Sequence, residues 1–263
     1  MNDLFDIACN FTHESFDDDL KQVIDDGMNI GVNKFLVVAA ELDDAHKIDK
    51  LITNHKDLLY FTTGVHPHHA KGFNDQSTER MRNLIKKYSP NALGEMGLDF
   101  FRNLSSHEEQ IFAFEEQIKL AIEFNKPLFL HQRDSHEPFI KLLNNYKNDI
   151  DKAVVHCFTG TQQELDEYLK CDFYIGLTGW IGDERRNKDL RSSIKNIPLN
   201  RLMLETDSPF LIPRNLNPKP KSNRNEPKNL MHIATEIAQL RNESVEEICN
   251  ATYRNSLDFF SQA

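Results

Sequence analysis

SHEEQIFAFEEQIKLAIEFNKPLFLHQR, residues 106–133, changes character partway along. Up to Phe124 its apolar residues Ile111, Phe114, Ile118, Ala121 and Ile122 share one helical face, Ser106 can cap the first turn, and Glu108 and Glu109 suit the positive end of the helix. From Pro127 the run PLFLHQR is short, apolar and aromatic, as a buried strand is. An amphipathic helix that hands over to such a strand is one unit of an α/β repeat.

The unit recurs along the chain. Eight apolar runs stand out: LFDIACNF (4–11), KFLVVAA (34–40), LYFTTGVH (59–66), NALGEMGL (91–98), PLFLHQR (127–133), AVVHCF (153–158), DFYIGLTG (172–179) and RLMLETD (201–207). Besides the helix after Ser106, the spacing predicts helices near 18–29, 42–55, 77–88, 137–147, 162–170, 187–196, 229–240 and 245–260. Strands and helices alternating in this number point to a (β/α)8 TIM barrel, with an open doubly wound sheet as the alternative. Neither GxGxxG nor GxxxxGK[ST] opens a helix, which argues against a nucleotide cofactor. Residues 209–228, PFLIPRNLNPKPKSNRNEPK, form a proline-punctuated loop after the eighth run.

With 263 residues, 39% of them hydrophobic, the chain can bury one large core, so a single domain over 1–263 is expected. No basic stretch leads into an apolar run, and nothing approaches the roughly 20 apolar residues that cross a bilayer. The expectation is a soluble cytoplasmic protein with no membrane partner. Four scattered cysteines suit a reducing compartment. The net charge of -10 would repel nucleic acid overall, so any polyanion must be met by a local basic patch.

A barrel of this type builds its active site at the carboxyl ends of its strands. The runs end in His66, Glu95, His131, His156, Thr178 and Trp180, and Glu205 and Asp207. A single strand-end histidine is usually a hydrogen-bonded core residue. Several ionisable groups around one mouth cost several kcal/mol of desolvation unless compensated, and a divalent cation compensates imidazoles and carboxylates together. Such a donor set, without thiolate, suits zinc, manganese or iron, and magnesium where carboxylates, waters and phosphate supply most ligands. A metal so held acidifies bound water and polarises a carbonyl or phosphoryl oxygen, which makes hydrolysis the natural reaction class.

Three features favour phosphate over carbonyl. GVHPHH (64–69) places His66, His68 and His69 at a strand end and the loop beyond it. The loop 213–228 carries Arg214, Lys219, Lys221, Arg224 and Lys228 against Glu226 alone. Trp180, the only tryptophan, stands near Arg185 and Arg186 and could stack on a base. Each also has an ordinary explanation: a proline turn, a solvated loop, a packing indole.

Taken in order and spacing, GVHPH (64–68), GEMGLDF (94–100), LHQRDSHE (130–137), VVHCFTGT (154–161), YIGLTGWIGDERR (174–186), LETDSPFLIPR (204–214) and NEP (225–227) closely resemble the TatD family of metal-dependent nucleases, a branch of the amidohydrolase-like barrels. The resemblance runs along nearly the whole chain. It implies metal ligands at Glu95, His131, His156 and Asp207, with Asp207 binding metal or orienting water, and His66 near the substrate phosphate. It further implies a magnesium-dependent 3'-5' exonuclease, with manganese or zinc as alternatives, acting on 3' ends of single-stranded DNA and on RNA, in DNA repair or turnover. Glu95 and Asp207 are the catalytic candidates; His66, His68, Trp180, Arg185, Arg214, Lys219 and Arg224 are the substrate-binding candidates, in a chain expected to be monomeric.

One departure matters. Most of the wider family ends the first strand with His-x-His, which holds a second metal; here Ala8 and Asn10 stand at those positions. Alanine cannot ligate, and an amide oxygen is a weak zinc ligand though acceptable to magnesium. The first strand therefore puts a two-metal mechanism in doubt. Pleat alternation turns Cys9 away from Ala8 and Asn10, so Cys9 is expected to pack against a helix. Two other readings stay open: a metal-dependent hydrolase of another bond, such as an aminoacyl-tRNA ester, and a nucleic-acid-binding barrel without turnover. A cysteine nucleophile at Cys9 or Cys157 is the weakest, because strand neighbours such as His156 and Cys157 face opposite ways.

Overall fold

The structure, a computed structural model, describes residues 3–261 apart from Glu184 and Arg186. Eight strands run in the spatial order of the chain: β1 (Leu4–Cys9), β2 (Val32–Val37), β3 (Leu59–Thr63), β4 (Ala92–Asp99), β5 (Leu128–Arg133), β6 (Ala153–Val155), β7 (Tyr174–Leu177) and β8 (Leu202–Leu204). All seven successive pairs are parallel. The ring returns on itself where Cys9 bridges Ser208 in parallel and the Asn10 N–H donates to the Ser208 carbonyl at 2.8 Å. The chain folds as the TIM barrel its alternation predicts.

Helices α1 (Leu20–Asn29), α2 (Asp44–Asn54), α3 (Asp75–Tyr88), α4 (His107–Glu123), α5 (His136–Tyr146), α6 (Gln162–Lys170), α7 (Lys188–Ser193), α8 (Leu230–Arg241) and α9 (Val245–Phe260) complete the repeat. Ser106 caps α4 as its sequence predicts: its Oγ accepts from the Glu109 N–H, while Glu109 accepts from the Ser106 N–H at 2.9 Å. No helix among the described residues is long and apolar enough to cross a membrane. The regular strands are mostly shorter than the apolar runs; β6 stops at Val155, just before His156. Conversely, β4 runs to Asp99, one residue past the apolar run.

Two apolar layers set the height of the site. Outside the barrel, Leu128, Leu130, Ala153, Val155, Ile175, Leu177, Leu202 and Leu204 pack with the helices in the main core, and Cys9 joins them there as expected. A second cluster contains Phe5, Leu36, Ala92, Phe129, Val154 and Met203, with Phe259 and Phe260 of α9. Since side chains alternate along a strand, the residues two beyond Phe129, Val154 and Met203 share their face. Those are His131, His156 and Glu205. The Phe129 ring lies stacked 4.7 Å from that of His156, so the apolar layer is the floor of the polar one.

Glycine lets β4 press against β5. Gly94 and Gly97 hold φ of +149° and +147°, and a Cβ on Gly97 would lie 1.9 Å from the His131 carbonyl oxygen. On Gly94 it would lie 2.3 Å from that of Phe129. The two glycines thereby bring Glu95, which lies between them, beside His131.

Candidate metal centre and active site

Three imidazoles converge on one carboxylate oxygen. Glu95 Oε1 lies 2.8 Å from His131 Nδ1, 2.8 Å from His156 Nε2 and 3.2 Å from His66 Nε2. The far nitrogens of two of these rings each face a further carboxylate: His131 Nε2 is 3.5 Å from Asp99 Oδ2, and His156 Nδ1 is 3.4 Å from Glu205 Oε2. Asp99 and Glu205 are 1% and 0% exposed. Burial alone would raise the Glu95 carboxyl, yet the surrounding imidazoles, His156 first, hold it well below its ordinary range. The carboxylates in turn outweigh the burial of His156 and push that imidazole well above its ordinary value. His66 behaves differently, because burial takes it down to about 4. Its Nδ1 accepts from the His68 N–H at 3.0 Å, which leaves the proton of the neutral ring on Nε2, facing the site.

The donor set fits a divalent cation. Ligand atoms of His66, Glu95 and His131 all lie within 4.8 Å of one another. A cation bound at about 2.0–2.2 Å holds neighbouring ligands roughly 3 Å apart, the spacing seen around Glu95. His131 Nε2, His156 Nδ1 and Glu205 Oε2 are buried without a hydrogen bond, and a carboxylate behind each ring is the usual support of a metal-ligating histidine.

The β8 side of the mouth is built on hydrogen bonds. Asp207 holds a left-handed backbone conformation, φ 55°, and its Oδ1 accepts from Asn10 Nδ2 at 3.1 Å. The same amide donates to the Ser208 carbonyl at 3.1 Å, so both of its N–H bonds are engaged and its orientation is settled. Burial, reinforced by the charges of Glu95 and Glu205, raises the Asp207 carboxyl to about 7. Behind it, Asp6 accepts from Thr206 N at 2.8 Å and Thr206 Oγ1 at 2.6 Å, tying β1 to the end of β8.

The expected substrate contacts are scattered. His68 Nε2 sits 2.6 Å from Asp99 Oδ2, joined to the metal centre through that carboxylate, whereas His69 faces Glu41. Trp180 is half-buried against the main core with its Nε1 unpaired. Arg185 and Arg214 share the Asp183 carboxylate, at 2.9 and 3.1 Å. Arg224 is engaged elsewhere: its guanidinium pairs with both oxygens of Asp19, bonds Glu226 and the Ser15 carbonyl, and lies over Phe16. Lys228 pairs with Glu226 and Asp26. Much of the charge that made 213–228 look free is thus neutralised; Lys219 and Lys221 stay exposed, with no ion pair among the described residues. Arg186 lies outside the described residues.

The strand-end reading did not assign roles to Asp99, Glu205, Asn10 or Asp6. Glu205 was visible as an ionisable strand end, and Asp99 follows the run NALGEMGL by one residue. Nothing local marks Asp6, whose partner lies 200 residues away.

An eight-stranded α/β barrel whose carboxyl ends gather imidazoles around a buried carboxylate defines a metal-dependent hydrolase. The sequence model of the TatD related DNase family matches residues 5–261, and the chain belongs to that family. It is 43% identical over 257 residues to the 3'-5' ssDNA/RNA exonuclease TatD of Yersinia pseudotuberculosis, covering 98% of this chain and 99% of that protein. The protein of the same name from Pantoea ananatis is 41% identical with the same coverage. Among solved structures, a TatD homolog from Escherichia coli superposes with a TM-score of 0.89 at 28% identity, over 98% of both chains.

Proposed function

We propose that this chain is a divalent-metal-dependent 3'-5' exonuclease that removes nucleotides from single-stranded DNA and RNA. The observation that carries the reading is the bracketing of His131 and His156, each between Glu95 and a second buried carboxylate. Full-length relatives named for the same activity supply the substrate class. Glu95, His131 and His156 would hold one cation, with Glu95 and Asp207 available to a second that arrives with substrate phosphate; magnesium is the favoured metal. When bound, such a cation acidifies water and polarises the phosphoryl oxygen.

The remaining chemistry belongs to side chains. Asp207 accepts the proton of the attacking water, and Asn10 holds its carboxylate in place. His66 presents a neutral Nε2–H to a phosphate oxygen. Asp99 and Glu205 fix the ring orientations of His131 and His156. The attacking oxygen forms a bond to the terminal phosphorus, the bond to the penultimate 3' oxygen breaks, that oxygen takes up a proton from water to become the new 3'-hydroxyl, and a nucleoside 5'-monophosphate leaves.

The test uses one single-stranded oligonucleotide labelled in turn at each end, incubated with magnesium, manganese or zinc and with EDTA. A ladder that shortens from the 3' end with metal and disappears with EDTA is expected. Release of the 5' label first would overturn the polarity, and intact substrate throughout would overturn the nuclease reading.

A further inference from the structure

We infer that Phe101, Arg102 and Arg133, on the rim above β4 and β5, form a binding site for a nucleotide upstream of the scissile bond: the ring stacks on its base and the guanidinium groups take its phosphates. This rests on the nuclease reading and adds the path of the strand to it. Phe101 is 56% exposed, the largest value among the exposed large apolar side chains. The Arg133 guanidinium lies over its ring at 4.0 Å from the centroid, and more than half of the residue stays accessible beside it. Arg102 and Arg133 are exposed, and neither has an ion pair among the described residues. In a chain of net charge -10, unneutralised guanidinium groups flanking an open aromatic ring are the chemistry of a single-strand track, since every base offers a π-face and every linkage a charge.

The site is anchored to the metal centre. Asp99 Oδ1 accepts from the backbone N–H groups of Phe101 and Arg102, at 3.1 and 2.8 Å, while its Oδ2 faces His68 and His131. The Phe100 N–H donates to the Arg133 carbonyl at 3.0 Å, and the Phe100 ring stacks on His107 at 3.5 Å. Asn103 Nδ2 adds a bond to the Phe100 carbonyl at 2.7 Å. The loop is therefore braced before substrate arrives, which lowers the ordering cost of binding. A strand whose terminal phosphate reaches the buried Glu95 cluster must leave over the rim, and at β4 and β5 it meets the open ring with both charges beside it.

The test compares two substrates on Phe101→Ala, Phe101→Trp and Arg102→Gln proteins whose melting matches the parent. One is a single-stranded decanucleotide; the other is the p-nitrophenyl ester of thymidine 5'-phosphate, which has no upstream base. Phe101→Ala is expected to raise KM for the decanucleotide about tenfold and leave the ester unchanged, with Phe101→Trp restoring it. Arg102→Gln is expected to lower the slope of log KM against log salt by about 0.7 on the decanucleotide alone. Equal losses on both substrates, or an unchanged decanucleotide KM in Phe101→Ala, would overturn the inference and leave the nuclease reading intact. A parent protein inactive on the decanucleotide in every metal would remove the nuclease reading itself.

Discussion

The two sides of the barrel mouth solve the same electrostatic problem differently. Around Glu95, three imidazoles from the ends of β3, β5 and β6 crowd together with Asp99 of β4 and with Glu205, which reaches in from the end of β8, and polar atoms are left unbonded. Around Asp207, where β8 meets β1, the carboxylate is satisfied by an amide and its neighbour Thr206 by Asp6. The first side is a donor set that fits a cation. The second is held by hydrogen bonds from Asn10 and Thr206, at the place where most of the wider family sets two histidines. The difference teaches that without histidines at the end of the first strand the donor set around Glu95 is still assembled, and that Asn10 is bonded to Asp207 where they would stand.

The comparison breaks most severely at Glu95. Glu95→Gln removes the charge shared by His66, His131 and His156, so both metal affinity and nuclease activity should fall to background, read by equilibrium dialysis and by strand shortening. Asp207→Asn should leave metal affinity on the other side intact while lowering kcat by about 10²–10⁴, the range of a lost general base. A variant that bound metal normally and kept full activity would remove Asp207 from the chemistry. Asn10→Ala deletes one charge-assisted hydrogen bond, and a kcat reduced roughly tenfold with unchanged metal affinity is expected. An unchanged kcat would show Asn10 to be a bystander.

The last effect is on stability and leaves the chemistry aside. Burial, opposed by its bonds to Thr206, raises Asp6 from 3.8 to about 7. Between those values the folded chain keeps a proton that the unfolded chain has released. Stability from this group is therefore greatest at low pH and declines as pH rises through 4 to 7, by up to about 1.4 kcal/mol per unit. Asp207, raised to the same range, contributes a like slope, so Asp6→Asn should make that part of the metal-free stability profile less steep, measured by urea unfolding; an unchanged slope would contradict the shift.

Much of this was legible in the sequence. Periodicity alone placed the strands and helices, because each helix has one apolar face and each strand is covered by apolar layers. His131 and His156 stood out as ionisable groups closing apolar runs. Their supports were harder to read: Asp99 lies one residue beyond the apolar run, and Asp6 acts on Thr206 across 200 positions. Arg224 misled in the opposite sense, since its charge looks free until Asp19, 205 positions earlier, folds against it. Phe101 passed as one of many phenylalanines, because only the fold shows which rings are left open.

Asymmetry of the mouth is the central claim, and counting tightly bound cations tests it most directly. Metal-free protein titrated with manganese, with free Mn²⁺ followed by electron paramagnetic resonance, should take up one tight equivalent alone and a second only when a nucleoside 5'-monophosphate is present. Two tight equivalents without nucleotide would contradict the account.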